Sequence, residues 1–390
     1  MLWPFVFCGE IETTFQDMRV AVFADQLNYR QQGGIGTYLR HLLPGLAGEI
    51  DDGSLVLVHH GPQGETLFPG LEKVEEVRLP SSRALTGLAW HGFGRPRLER
   101  YLGELDLVHA PSLVYPPSRS PLVATVHDLC ILKYPGAFPS RWRAFHRRGL
   151  SLIMRNAEVI LADSRSTYDD LRSLTGEQDP RVRVVPLGVE APAGPEEEEI
   201  EAVLRKHDLS PGYILFVGTI EPRKNLSRLV QAYAAFGGDE KKKSGDLVLV
   251  GAPGWMGRRE LTRVLSQGGV RWLGFLPRDE LEAVYRAATI FVYPSLYEGF
   301  GLPVLEAMAR GLAVVTSNSS SLREVGEGVA LLVDPNDPRE LGKAMQRLID
   351  DEGMRRELAE KGRERAAEYP WDRTVEMTLE AYEAASRGGA

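Results

Sequence analysis

Short apolar runs recur along the chain, and several of the gaps between them carry a helical period. In the first half the runs fall at residues 19–24, 54–59, 74–79, 107–110, 122–127, 159–162 and 182–186. The pattern restarts at 213–217, 246–250, 270–275, 290–293, 313–316 and 330–333. Helical stretches are expected at 38–45, 141–156, 166–175, 226–236, 304–311 and 338–351, with a highly charged helix after that and a last one over about 374–385. Strands this rich in Val, Ile and Leu, alternating with helices, predict an α/β protein whose parallel sheets are covered on both faces. Between the halves the chain changes character. Gly188, Pro192, Gly194 and Pro195 precede four consecutive glutamates, a linker composition leading into a solvated helix start. Two doubly wound, Rossmann-like domains are therefore expected, at 18–190 and 191–368. Residues 1–17 read as a non-essential extension, because a clean strand begins only after Met18. The apolar stretch inside that extension is short for a signal peptide and has no basic residue before it.

Composition narrows the class without naming an activity. The chain has 390 residues, 43% of them hydrophobic and 26% charged, as in ordinary globular proteins. A net charge of −8 argues against a protein that coats nucleic acid. Two cysteines, Cys8 and Cys130, provide neither a disulfide framework nor a cysteine-rich metal site, and suit a reduced, cytoplasmic setting. No apolar run approaches the roughly 20 residues of a membrane helix.

In doubly wound sheets ligands gather at the carboxyl ends of strands, so residues that follow the runs are the candidates. Gly33, Gly34 and Gly36 open the first helix, a layout for close approach to a phosphate that also makes a plain tight turn. His109 and the pair His127–Asp128 follow strands; a histidine there is as readily structural as catalytic. Arg223 and Lys224 stand side by side between a strand and a helix, one a planar fork and the other a mobile point charge. In 297–311, Gly299 and Gly301 mark a turn where the backbone must approach something closely, and Pro303 suits a first helical turn. Glu298 then lies in the loop and Glu306 near the positive end of the helix. The two carboxylates either hold hydroxyl groups or, in Glu306's case, simply complement the helix dipole.

Taken together these stretches resemble the retaining glycosyltransferases of the GT-B fold, specifically glycosyltransferase family 4, over essentially 19–385. The resemblance rests on Gly33-Gly34-Ile35-Gly36, Thr125-Val126-His127-Asp128, Ala162-Asp163-Ser164, Glu221-Pro222-Arg223-Lys224-Asn225-Leu226, and two glutamates, Glu298 and Glu306, separated by seven residues. The sequence around Arg223 is similar to that of the family's mannosyltransferases. The resemblance implies two domains facing a cleft, with 369–390 crossing back onto the N-terminal domain and Trp371 as an anchor. It implies that Arg223 and Lys224 clamp the donor's diphosphate, approached also by Gly33 and Gly34. Glu306 would accept from ribose hydroxyls, and Glu298 would contact the transferred sugar with backbone N–H groups of Phe300, Gly301 and Leu302. His127 would lie against the donor sugar, Asp128 towards the acceptor, and the backbone near 274–277 against the base.

The implied activity is transfer of a hexose, mannose favoured over glucose, from a nucleotide-diphosphate sugar (GDP-mannose favoured) to a glycan or lipid-linked acceptor. No cofactor or metal is required, because the cations assist the leaving group. Two rivals remain: a sugar-nucleotide 2-epimerase on the same fold, and a non-catalytic sugar-nucleotide-binding subunit. Residues 141–148, basic and aromatic, suggest weak peripheral contact with anionic lipid; the plainer expectation is an exposed helix face with Trp142 and Phe145 packed inward.

Overall fold

The structure is a computed structural model; it describes residues 18–29, 33–61, 74–175, 179–190, 194–236 and 245–388. The proposed extension 1–17 lies outside them. The first seven strands are β1 (Val20–Phe23), β2 (Leu55–His59), β3 (Glu75–Arg78), β4 (Leu107–Ala110), β5 (Leu122–Val126), β6 (Val159–Ala162) and β7 (Val182–Val184). They form one sheet in the order β3-β2-β1-β4-β5-β6-β7. A second sheet takes β8 (Tyr213–Val217), β9 (Leu247–Val250), β10 (Val270–Trp272), β11 (Ala288–Tyr293), β12 (Ala313–Ser317) and β13 (Leu331–Val333), in the order β10-β9-β8-β11-β12-β13. Neighbours such as β1–β4 and β8–β9 run parallel. Strands β1, β2, β4, β5 and β9 are buried at every position, which is why their sequences read as unbroken apolar runs. Each sheet reverses its strand order once, at β1/β4 and at β8/β11. The fold class is thus the expected one: two Rossmann-like, doubly wound parallel sheets.

By its contacts the chain divides into two compact units. One gathers the chain up to Thr125 with Arg148–Leu161 and the helix end from Val375; the other holds Val126–Arg147 and Ala162–Thr374. In the first unit, the helix α1 (Gly34–Glu49) begins four residues before the expected start and includes Pro44. The glycine cluster is therefore the first turn of the helix and not a loop before it. Tertiary burial of Tyr38, Leu39, Leu42, Leu43 and Leu46 stabilises that start despite glycine's low helix propensity. His109 is a core residue, fully buried between the Tyr382 hydroxyl and Thr125 Oγ1, each 2.8 Å from a ring nitrogen. Gly45 packs against Val375 so closely that an added Cβ would lie 2.4 Å from a Val375 methyl.

The last helix, Trp371–Gly388, starts in the second unit, three residues earlier than expected, and continues into the first from Val375. Trp371 is an anchor: it is buried, and a Cβ at Gly188 would meet its backbone and ring at 2.5 Å. The acidic run forms the helix Glu197–Lys206, with Glu196 and Glu199 making a capping box. Trp142 corrects one expectation. On the helix Ser140–Asn156 it is 40% exposed, with its ring edge-on to Trp255 at 5.4 Å, while Phe145 is half-buried. The inward stripe of that helix is carried instead by Gly149, Leu150 and Ile153.

Candidate active site

The reversal at β8/β11 sets two loops side by side at the carboxyl ends of those strands, the place where doubly wound sheets bind ligands. The loop after β8 closes in a single 3-10 turn, Pro222–Lys224, and then Asn225 adopts a left-handed conformation (φ 61°). Asparagine is among the few residues that tolerate this. Its buried amide donates to the carbonyls of Pro294 (3.0 Å) and Pro335 (2.7 Å), which fixes the turn. The loop after β11 is stitched to it: Leu296 N–H and Ser295 Oγ both donate to Arg223 O, at 2.9 and 3.1 Å.

These loops build a buried cluster of alternating charge. Glu298, 7% exposed, accepts from Arg223 Nη1 at 2.5 Å through one carboxylate oxygen and from Lys224 Nζ at 2.7 Å through the other. Ser295 Oγ adds a third bond at 2.6 Å. Glu221 holds the far side of the guanidinium, 2.9 Å from Nε and 2.7 Å from Nη2. Lys224 also donates to the Tyr293 hydroxyl. Burial alone would push the Glu298 carboxyl up; Arg223 and Lys224 more than offset it and hold its pKa at about 2. Arg223 is pushed the other way: burial disfavours its charge, but Glu298 and Glu221 raise its pKa further above its already high value.

Gly299 follows, and its reason is steric. A Cβ there would sit 1.7 Å from the His127 carbonyl oxygen, so the close approach expected of this turn is to another stretch of chain. Gly301, at φ 106°, starts the helix Leu302–Ala309, with Pro303 in its first turn. The helix ends as a Schellman motif: Leu312 N–H bonds Ala307 O at 3.0 Å and Gly311 N–H bonds Met308 O at 2.8 Å, with Gly311 at φ 74°. Phe300 and Leu302 are buried, so only their backbone groups are chemically available. Glu306 is half-buried, 3.4 Å from the Tyr285 hydroxyl. Burial raises its pKa, Arg310 opposes this, and Glu282 reinforces it. Arg310 is itself engaged by Glu282, with Nε 2.7 Å from the carboxylate. Among the described residues no cation lies within salt-bridge distance of the Glu306 side chain, which suits it to accepting from hydroxyl groups.

His127 and Asp128 follow β5, and Asp163 follows the adjacent β6. His127 Nδ1 lies 2.6 Å from Asp163 Oδ2, an arrangement that fixes the imidazole and turns Nε2 away from the carboxylate. Asp163 is 2% exposed; burial pushes its carboxyl up, which His127 only partly offsets. Asp128 instead accepts from Cys130 N–H at 2.9 Å. Gly33 and Gly34 belong to the other unit, at the start of α1. Neither has a left-handed φ, and among the described residues no atom lies within 4 Å of an added Cβ at either. Among the described residues no group of three or more His, Cys, Asp or Glu side chains is arranged to hold a metal ion.

Three residues given no role from sequence prove central to this geometry. Glu221 and Asn225 position Arg223 and Lys224, and Asp163 positions His127. All three stood in the stretches that carry the resemblance, directly beside strand ends, which was the available signal.

The fold is two doubly wound parallel sheets, with the charged cluster at the strand-order reversal of the second. Residues 32–191 match the family described as Glycosyltransferase Family 4, and 196–365 match Glycosyl transferases group 1. The O-antigen chain mannosyltransferase B of Escherichia coli is 32% identical over 71% of this chain and 74% of its own length. The D-inositol 3-phosphate glycosyltransferase of Salinispora arenicola is 31% identical over 75% of this chain and 71% of its own. The serotype-specific mannosyltransferase WbdA of Escherichia coli is 30% identical over 67% of this chain, which spans only 33% of that longer protein. In solved structures the same fold occurs in sucrose-phosphate synthase from Thermosynechococcus elongatus, with a TM-score of 0.73 at 22% identity over 93% of this chain and 98% of that one. It also occurs in Anabaena HepE in complex with UDP and glucose, with a TM-score of 0.71 at 17% identity over 93% and 98%. This chain belongs to glycosyltransferase family 4.

Proposed function

We propose that the protein is a retaining glycosyltransferase that moves a hexose, mannose first, from a nucleotide-diphosphate sugar to a glycan or lipid-linked acceptor. The observation that carries the reading is the Arg223–Lys224–Glu298 cluster at the strand-order reversal. It is a pair of fixed, buried cations where a phosphate would sit. The mannosyltransferase relatives favour mannose, and GDP-mannose is the donor we propose with it. Residues 18–190 form the acceptor domain, 191–368 the donor domain, and 369–390 the returning segment.

In the transfer, the bond between the sugar's anomeric carbon and the diphosphate oxygen breaks, and negative charge grows on that phosphate. Arg223 and Lys224 stabilise the charge in place of a metal, acting from positions already set, so little reorganisation is needed. The acceptor oxygen bonds the anomeric carbon on the face the phosphate leaves, and its proton passes to the departing phosphate oxygen. The anomeric configuration is retained without a carboxylate nucleophile. Both Glu298 oxygens are engaged by the cations, so it serves them first and meets sugar hydroxyls only as the diphosphate takes up part of their charge. Glu306 accepts from the ribose, backbone N–H groups of Phe300, Gly301 and Leu302 approach the donor, and Gly33 and Gly34 leave room for the diphosphate. His127 lies against the transferred sugar with Asp128 towards the acceptor. The protein works in the cytoplasm, and weak contact with a membrane would serve a lipid-linked acceptor.

Asp163→Asn tests the His127 assignment. Losing a charge-assisted hydrogen bond of about 1.5–3 kcal/mol is expected to slow transfer roughly ten- to a hundredfold with little change in donor affinity. The readout is kcat against the donor KM; an unchanged kcat would remove His127 from the chemistry. The reading as a whole is tested by a thermal-shift screen of GDP-mannose, UDP-glucose and related donors. A donor at a hundred times its Kd stabilises the fold by about 2.7 kcal/mol. GDP-mannose is expected to give the largest rise in Tm, and no rise with any nucleotide sugar would contradict the function.

A further inference from the structure

The stretch that follows His127 and Asp128 carries aromatic rings that the transfer chemistry does not use. Residues 134–142 read Tyr-Pro-Gly-Ala-Phe-Pro-Ser-Arg-Trp. Pro135 and Pro139 fix their own φ and leave the segment little freedom. Pro135–Ala137 closes a 3-10 turn, and the helix Ser140–Asn156 starts directly after Pro139.

A second loop holds this segment in place. After β9, Ile220 N–H bonds Ala252 O at 3.0 Å, and Gly254 N–H returns to Ile220 O at 3.1 Å. A Cβ at Gly254 would lie 2.5 Å from that carbonyl, so the approach requires glycine. The next residue, Trp255, donates its indole N–H to Ala137 O at 2.5 Å. Its ring meets two others, Phe138 tilted at 5.5 Å and Trp142 edge-on at 5.4 Å. At the start of the segment the Tyr134 ring lies 5.9 Å from that of Tyr297, which is buried and donates its hydroxyl to Asp170 at 2.7 Å. All these residues belong to the second unit. Tyr297 precedes Glu298, and Ile220 precedes Glu221, so both ends of the strip are tied to the loops of the charged cluster.

The rings are held but not covered. Tyr134 is 38% exposed and Trp142 40%. Trp90, Trp255 and Trp272 each donate their indole N–H to a backbone carbonyl. Among the described residues the Trp142 indole N–H and the Tyr134 hydroxyl have no hydrogen-bond partner. Ser140 and Arg141 are exposed beside Trp142, and residues 134–142 contain no Leu, Ile, Val or Met. Rings with free polar edges and polar neighbours suit a sugar. The C–H face of a hexose packs on the ring, and its hydroxyls reach the N–H and O–H at the edge. An acyl or isoprenoid chain would instead call for aliphatic side chains. Because the rings are spread along a stiff segment rather than gathered in one pocket, they suit more than one sugar unit, and little order is lost on binding.

We infer that residues 134–142, with Trp255 beneath them, form a subsite for an extended acceptor glycan. The rings stack the sugar units behind the one that receives the transferred hexose. The inference rests on the glycosyltransferase reading for the glycan's role as acceptor. Glycan binding is measured without a donor, so the two can fail separately.

The experiment is calorimetric titration of the full chain, without nucleotide sugar, with methyl α-mannoside and mannotetraose, and with methyl α-glucoside and maltotetraose. The expected result is that mannotetraose binds more than about tenfold more tightly than methyl α-mannoside, the gain of one further aromatic contact. Trp142→Ala is expected to remove that gain, with Tm and the donor-induced thermal shift unchanged. Trp142→Phe keeps a ring and should retain more of the gain than the alanine variant. Four outcomes overturn the inference. Wild type binds neither tetraose more tightly than its monosaccharide; Trp142→Ala binds tetraose as wild type does; Trp142→Ala lowers Tm together with binding, which makes the rings a latch between two loops; or decyl phosphate displaces the tetraose, which assigns the strip to lipid.

Discussion

Lys224→Ala is expected to lower sugar transfer by about 10²–10³-fold, the usual consequence of removing one fixed donor from developing charge. The fold should survive. Glu298 would still accept from Arg223 at 2.5 Å and from Ser295 at 2.6 Å, so the carboxylate left behind is not stranded. Lys224→Arg is not expected to rescue transfer. The site is 6% exposed and fitted between Tyr293 and Glu298, and a planar guanidinium does not fill the place of a compact ammonium. Transfer assays beside a thermal melt check both halves. A near-wild-type rate in a folded Lys224→Ala protein would end the diphosphate clamp.

Glu298→Gln should show mainly in stability. It leaves Lys224 buried without its carboxylate while Arg223 keeps Glu221, and breaking such a pair costs about 3–5 kcal/mol. The carboxyl's pKa gives a similar figure by a separate route. It is held at about 2 in the folded protein against 4.5 for the free group, a difference worth on the order of 3 kcal/mol. Because the folded value is the lower one, this stabilisation is fully present above the unfolded value. It is lost as the pH falls towards 2. Urea unfolding of wild type and Glu298→Gln should therefore differ by about 3 kcal/mol at pH 7 and converge as the pH is lowered through 4 to 3. A gap that stays constant with pH would mean that the charge of Glu298 is not what stabilises the loops.

The sheets were legible because parallel strands buried on both faces leave unbroken apolar runs. Strands β4, β6 and β8 fall where the sequence puts them. Strand ends were less legible: the run 270–275 continues past β10, but the chain leaves the sheet after Trp272 and turns at Gly274, φ 75°. The start of α1 was hidden for a different reason. Glycines argue locally against a helix, and only burial of the residues after them decides the matter. Trp142 was hidden because a ring on a basic helix reads as inward until its aromatic neighbour, Trp255, is known.

At the site, single residues were readable and their pairings were not. Arg223 and Glu298 are 75 positions apart, and only the sheet order, with β8 beside β11, makes them neighbours. Asp163 reaches His127 across 36 positions for the same reason, β5 and β6 being adjacent. Glu306 could be placed near its helix start from sequence. That its side chain has Tyr285 beside it, while Glu282 takes up Arg310, depended on the packing of another helix.

The most direct test is turnover of GDP-mannose by the purified chain in the presence of a chelator, comparing wild type with Lys224→Ala. Wild type is expected to release GDP and pass mannose to an acceptor or to water with the anomeric configuration retained, and the variant to do neither. Inverted product, a requirement for metal, or equal turnover by the two proteins would contradict it.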